Sequence, residues 1–388
     1  MIVGILCNLE ILFYFKYLTF LTGSIVSLMG NEPDYMIKIA LPIGVSFFTF
    51  QAMSYIIDVY RGETEASENP INVALYISFF PQLIAGPIVK YRDINIQIEE
   101  RKVIWSDASD GFKRFIYGLG KKILIANVMG LCTDTIYSCG ITSMDSKAAW
   151  IGAVAYTFQI YYDFSGYSDM AIGLAKMFGF TIKENFNYPY LSRSISEFWR
   201  RWHISLGSWF KEYVYIPLGG NRKGTGKTYI NLIIVFFLTG LWHGADWSFV
   251  IWGLYHCLFA IIERAGLKKV LDKTRIISFI YTFFVVNLGW VFFRASDMST
   301  AVVYITRMFQ PWKYKNMLWI WDYLDNKTVF IFVCAVLGMG ILRAVIPQKI
   351  KDWWNGSVPE ALYCVLVLLL SLALIAGDTY NPFIYFQF

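Results

Sequence analysis

Apolar positions run along this chain in long blocks separated by short charged stretches, a pattern unlike amphipathic soluble helices or alternating strands. The blocks cover Met1–Met29, Met36–Tyr60, Ile71–Val89, Phe112–Tyr137, Ala148–Phe180, Tyr229–Ile262, Ile276–Phe293, Val329–Leu342 and Ala361–Ala376. A membrane-crossing helix needs ~20 mostly apolar residues. Several blocks exceed one crossing or carry Gly and Pro breaks. The pattern predicts an all-α, polytopic membrane protein with roughly eight to eleven membrane segments, some of them incomplete. The first block holds Asn8, Glu10 and Lys16 and is followed by no small-residue cleavage site. It is expected to be a retained span rather than a removed signal peptide. No internal repeat, low-complexity tract or linker divides the sequence, so a single membrane domain over residues 1–388 is expected.

Two segments depart from the simple pattern. In Asn185–Gly220, aromatic and charged residues interleave at near-helical spacing, as in Glu197-Phe-Trp-Arg-Arg-Trp-His203. That suits a helix lying in the membrane interface, with Trp and Tyr at headgroup level. The second, Tyr229–Glu263, would reach ~52 Å as one helix, against ~30 Å of hydrocarbon. Both of its flanks are basic. It is expected to be two helical pieces broken at Gly240–Asp246, with irregular backbone at His243 facing a cavity.

Composition supports the membrane reading. The chain is 56% hydrophobic and only 16% charged, where soluble domains carry about 25% charge. Mean hydropathy is +0.47. The net charge of +6 then serves mainly to orient the chain, since Lys and Arg collect in cytoplasmic loops; it does not argue for nucleic acid. Val89–Arg114, Thr181–Lys227, Arg264–Arg275 and Arg343–Lys351 are basic and are expected in the cytoplasm. Arg61–Pro70, with Glu63, Glu65 and Glu68, and the mixed stretch Asp297–Lys327 are expected on the outer side. The six Cys residues form no C-x-x-C pair, so zinc ligation and a disulfide framework are not expected.

Few residues can carry chemistry. There are three histidines, His203, His243 and His256. Their spacing suits no metal site. Imidazole suits proton transfer near neutrality, and ionisable groups inside a membrane default to functional hypotheses. His243, flanked by glycine, is the favoured catalytic candidate. His203 is intermediate. His256, inside a helical stretch, is expected to be a packing residue bonded to a neighbour. Ser165 reads as a small helix-packing residue. Asp163 and Asp169, six apart in an apolar stretch, are expected to form salt bridges to loop arginines. Arg200 and Arg201 are positive-inside anchors or, alternatively, phosphate-binding groups. No Walker loop and no activated Ser or Cys nucleophile is apparent.

Four blocks carry a family resemblance. They are Phe79-Phe-Pro-Gln-Leu-Ile-Ala-Gly-Pro-Ile-Val-Lys-Tyr-Arg-Asp93 and Tyr162-Asp-Phe-Ser-Gly-Tyr-Ser-Asp-Met-Ala-Ile-Gly173. The third runs from Asn185-Phe-Asn-Tyr-Pro-Tyr190 through Glu197–Leu206 to Tyr215-Ile-Pro-Leu-Gly-Gly-Asn-Arg222. The fourth is Gly240-Leu-Trp-His-Gly-Ala-Asp-Trp247 with Trp252-Gly-Leu-Tyr-His256. Down to the terminal Pro382–Phe388, the chain resembles the membrane-bound O-acyltransferase family, and within it the alginate O-acetyltransferase subunit I branch.

The resemblance implies a ring of helices around a tunnel, with broken or re-entrant segments. The family's invariant His falls on His243 and its second characteristic position on His203. The implied reaction takes acetyl from a cytoplasmic donor, acetyl-CoA, and moves it across the plasma or inner membrane for O-acetylation of a polysaccharide. A separate SGNH-hydrolase-type protein completes the transfer. Arg200, Arg201 and Arg222 are the candidate donor-side groups, and no metal is implied. Family members carry two or three further hydrophobic segments before the point that Met1 matches; these are expected to be absent here. Oxyanion stabilisation is expected from the Trp242 or Trp247 indole N–H or from backbone N–H groups at Gly244. Two rival readings remain: D-alanyl transfer to teichoic acid, against which Pro217–Arg222 speaks, and a transporter or flippase of a lipid-linked glycan.

Overall fold

A computed structural model describes residues 1–30, 39–84, 86–139, 144–312, 324–377 and 382–384. Residues 385–388 of the terminal block and the middle of the Asp297–Lys327 stretch lie outside the described residues. In chain order the helices begin with α1 (Ile2–Leu28), α2 (Val45–Arg61), α3 (Pro70–Ser78), α4 (Phe80–Leu83), α5 (Tyr91–Glu100) and α6 (Trp105–Ser138). Next come α7 (Ser146–Met177), α8 (Ile195–Arg201), α9 (Ile204–Phe210, continued by a π turn Lys211–Tyr215), α10 (Gly224–His243) and α11 (Trp247–Leu271). The last are α12 (Arg275–Arg294), α13 (Met298–Met308), α14 (Asn326–Val345), α15 (Gln348–Trp354) and α16 (Val358–Gly377).

Among the described residues there is no strand, and seven helices are long and apolar enough to cross a membrane: α1, α6, α10, α11, α12, α14 and α16. The chain is therefore an all-α, multi-pass membrane protein. Among the described residues, four helices start at an aspartate. Asp145, Asp246, Asp297 and Asp325 each accept a backbone N–H two or three residues on, at 2.7–2.9 Å, which satisfies orphan donors at the helix start.

The segment Tyr229–Glu263 is a hairpin, as its length requires. α10 runs 20 residues, or ~30 Å, and ends at His243. Gly244 is extended and α11 begins at Trp247. The two helices pack so tightly that a Cβ on Gly240 would sit 2.4 Å from the Phe249 carbonyl, and one on Gly253 2.3 Å from the Phe236 carbonyl. The sequence expectation needs one correction. His243 is not on irregular backbone; it is the last residue of α10, and the break falls on Gly244–Asp246.

α7 is the central helix, 32 residues long and buried over most of its length. The interior charges on it are paired. Asp163 meets Lys122 at 2.5 Å with both side chains about 4% exposed, and Asp169 meets Arg114 and Lys121 at 2.9 and 2.5 Å. The expected salt bridges exist, but their partners project from α6 rather than from a loop.

Two expectations about topology fail. Ile71–Val89 was expected to span. Instead α3 ends where Phe79 turns extended, α4 reaches Leu83 beside Gly44, and the chain returns to Lys90. Tyr76 ties the excursion together, donating to the Val89 carbonyl at 2.8 Å. The segment is re-entrant. Consequently Arg61–Pro70 lies on the same face as the basic loops, not opposite them. Glu63 pairs with Arg92, and Asn72 donates to Glu99 at 3.0 Å, both partners being on α5. Three glutamates made the loop look external, but acidic residues contribute little to orientation.

The core is aromatic. Phe198, Trp202, Tyr190, Trp252, Trp290 and Phe293 are almost fully buried in one cluster joining α8, α11 and α12. Trp202 lies 4.9 Å from Trp290 and 5.5 Å from Phe198. This cluster fixes the segment that follows it, including His203.

Candidate active site

His203 is held by its own backbone and by Asn185. Two strands of loop meet here. The Asn187 N–H donates to the Arg201 carbonyl, and the Ile204 N–H to the Asn185 carbonyl, each at 2.9 Å. Between them His203 takes a left-handed conformation, φ 44°, which histidine tolerates better than most residues. The Asn185 Oδ1 accepts from the Ser205 N–H at 3.2 Å and from the Ser205 hydroxyl at 2.8 Å. It also lies 3.2 Å from His203 Nδ1. An oxygen already accepting two donors assigns the proton to Nδ1 and leaves the lone pair on Nε2. The ring stands edge-on to Phe164 at 4.7 Å.

His243 approaches from the other side. Its ring packs on Trp252 at 5.0 Å and Phe293 at 5.2 Å, and only 5% of the residue is exposed. Trp242 links the two histidines, 4.8 Å from the His243 ring and 5.9 Å from the His203 ring. Each histidine ends a different cavity. His203 lines one of ≈ 300 Å³ together with Trp199, Arg200, Lys211 and Thr239. His243 lines one of ≈ 120 Å³ together with Lys16, Ser46, Ile84 and Trp242. The two cavities approach each other at His203, Trp242 and His243.

The other sequence candidates separate. Arg200 lies in the His203 cavity. Arg201 is engaged elsewhere, paired with Glu197 at 2.7 Å. Arg222 is exposed and lines neither cavity. His256 is fully buried among Phe198, Trp199, Trp252 and Trp290. It was expected to bond a neighbour, yet neither ring nitrogen has a hydrogen-bond partner among the described residues. Ser165 is buried in α7 and lines neither cavity.

Two of the expected oxyanion donors are committed. The Trp242 indole donates to the Ser46 carbonyl at 3.2 Å, and the Gly244 N–H to the Gly240 carbonyl at 3.3 Å. Trp247 is half exposed and packs on Phe20 at 5.5 Å. Trp252 is the indole beside His243 whose N–H has no acceptor among the described residues.

Sequence reasoning missed Lys16, Asn185 and Ser205. Lys16 carried a signal, a lone cation inside an apolar block. Asn185 lay within a family block without a role. Ser205 was two residues from a candidate histidine, with nothing to mark its hydroxyl.

Outside the spans, one charge cluster stands behind the His203 segment. Glu212 bridges Lys90 at 2.6 Å and Arg92. Partial burial alone would raise its carboxyl, but the Lys90 ammonium and the Arg92 guanidinium outweigh that and hold it below the usual glutamate range. Tyr213 donates to Asp58 at 2.7 Å, tying the same turn to α2.

Comparison with known proteins gives consistent matches. The profile of MBOAT, the membrane-bound O-acyltransferase family, matches residues 43–310. The chain is 40% identical over 412 residues to a probable alginate O-acetylase of Pseudomonas putida, covering 100% of this chain and 84% of that one. It is 37% identical over 333 residues to a peptidoglycan O-acetyltransferase of Helicobacter pylori, covering 78% and 63%. Identity falls to 28% over 272 residues with a teichoic acid D-alanyltransferase of Bacillus subtilis, covering 65% and 68%.

Proposed function

The chain belongs to the membrane-bound O-acyltransferase family, and from that premise we propose that it carries acetyl groups from acetyl-CoA across the cell membrane for O-acetylation of an extracytoplasmic polysaccharide. It does so as a single membrane domain of the plasma or inner membrane. The observation that carries this reading is the pair of cavities ending on His203 and His243, with Trp242 in contact with both rings. Two reactants brought from two faces need such an arrangement. The acetyl branch is favoured by the 40% and 37% identities to O-acetylating relatives, against 28% to the D-alanyl-transferring one.

The larger cavity suits the donor. Arg200 and Lys211 supply positive charge in it for a phosphate-bearing thioester, and the loops beside it are basic. His203 meets the acyl end with its tautomer fixed by Asn185. On the other side, neutral His243 removes the proton from the acceptor hydroxyl. The freed oxygen bonds to the acetyl carbonyl carbon, the carbon–sulfur bond breaks, and the thiolate of CoA leaves. A positioned base of this kind is worth ~10²–10⁴-fold in rate. The acceptor is presented by a separate SGNH-type protein, which passes the acetyl group to the polymer.

The test is purified protein in liposomes, with labelled acetyl-CoA on the basic face and an acceptor alcohol on the other. Label transfer with release of one free thiol per ester formed is expected. Vectorial movement of an intact glycan without thiol release overturns the reading and leaves the transporter in its place.

A further inference from the structure

A helix leaves its last four carbonyls without intrahelical donors, and at α10 these are the carbonyls of Gly240 to His243. The Gly240 carbonyl takes the Gly244 N–H. The Leu241 carbonyl accepts from the Tyr17 hydroxyl at 3.0 Å. The Trp242 and His243 carbonyls both accept from the Lys16 ammonium, the second at 3.3 Å. The remaining Lys16 donor reaches the Ser46 hydroxyl at 3.2 Å. Two consecutive side chains of α1 therefore close the last three carbonyls of the helix that ends on His243.

Several features separate this from ordinary packing. Lys16 and Tyr17 both lie in the π turn Phe13–Tyr17, and such turns concentrate at functional sites. A lysine inside an apolar helix is costly unless paired. This one sits at the negative end of a helix dipole, where a cation is stabilised. Its side chain also lines the ≈ 120 Å³ cavity beside His243. Both residues precede the stretch that the family profile matches, residues 43–310.

We propose that Lys16 is a positioning residue for acyl transfer, with Tyr17 as a second grip: together they fix the end of α10 and hence the place of the His243 ring at its cavity. The inference rests on the proposed role of His243. Its size follows from geometry, since a displacement of ~1 Å in a reacting group can cost ~10²-fold. Removing the ammonium frees two carbonyls and lets the helix end relax, which displaces the ring without touching the donor cavity.

The experiment compares Lys16→Met, Lys16→Gln, Lys16→Arg and Tyr17→Phe with wild type and His243→Ala, as full-length protein in liposomes. Turnover is normalised to correctly folded molecules. Lys16→Met is expected to lower kcat ~10–100-fold while KM for acetyl-CoA stays within about two-fold, because the donor cavity is separate. Lys16→Arg, which keeps the charge and the donors, restores most of the rate. Lys16→Gln and Tyr17→Phe fall between. If Lys16→Met fails to insert, the Gln and Phe variants decide. Wild-type kcat in the Lys16 variants while His243→Ala is dead overturns this inference alone. Wild-type kcat in His243→Ala overturns the catalytic reading beneath it.

Discussion

Arg92, at the start of α5, is ion-paired to Glu63, just past the end of α2. The contact puts the acidic loop and the basic loop on one face, and it makes Pro70–Lys90 a segment that enters and leaves by that face. The prediction is a labelling pattern. Single cysteines at Glu65 and Lys223 are labelled from the same side of intact cells, the cytoplasm, and one at Asp297 from the other side. Labelling of Glu65 from outside, with Lys223 inside, contradicts the pairing.

The helical character and the hairpin were legible, because each rests on local signals: long apolar runs, and Gly240 and Gly244 around the break. The exact residue of the break was not legible. Gly240 looked like a helix breaker, yet its missing side chain serves the contact with Phe249, and the helix continues to His243. The side of Arg61–Pro70 was lost because the orientation signal lives in Lys and Arg, and Arg92 decides the matter from thirty residues away. Lys16 was visible as an oddity, but the two carbonyls it closes lie more than two hundred residues on. Only the folded chain can show what such a side chain is for.

The Glu212 cluster gives a pH signature. Its carboxyl is held below the usual range by Lys90 and Arg92. A carboxyl lowered on folding contributes stability above its unfolded value, ~4.3, and loses it as pH falls through the lowered folded value. The melting temperature of wild type is expected to exceed that of Glu212→Gln above ~pH 5. The gap narrows as pH drops below ~4. A gap that is constant over this range removes the linkage.

The proposed SGNH-type partner can be tested directly. Among the described residues, the stretch between α12 and α14 holds the short helix α13 and turns. Reconstituted protein is expected to acetylate a small alcohol but not external polysaccharide, until a secreted or anchored SGNH-type partner is added. Polymer acetylation by this chain alone, at the rate of whole cells, rules that out.

The three histidines sit near one another and differ in what surrounds their ring nitrogens, so substitution separates them. His243 and His203 each line a cavity, whereas His256 lines neither and is packed among aromatic rings, Phe198, Trp199, Trp252, Tyr255 and Trp290. His243→Ala is expected to leave an inserted, folded protein with turnover lowered ~10²–10⁴-fold, or ~2.7–5.4 kcal/mol of barrier. His203→Ala lowers turnover too, and Asn185→Ala lowers it less, because loss of the amide frees the tautomer without removing the ring. His256 behaves differently. Alanine there opens a void in an aromatic core and lowers the melting temperature, while turnover per folded molecule holds. Leucine removes two nitrogens that have no hydrogen-bond partner among the described residues, and replacing such a buried polar group by an apolar one of similar size is nearly neutral or stabilising. His256→Leu therefore melts above His256→Ala and keeps its activity. The measurements are acetyl transfer per folded molecule and thermal unfolding, with donor, acceptor and partner supplied. Loss of turnover in His256→Leu at unchanged stability moves that ring into the chemistry, and full turnover in His243→Ala takes His243 out of it.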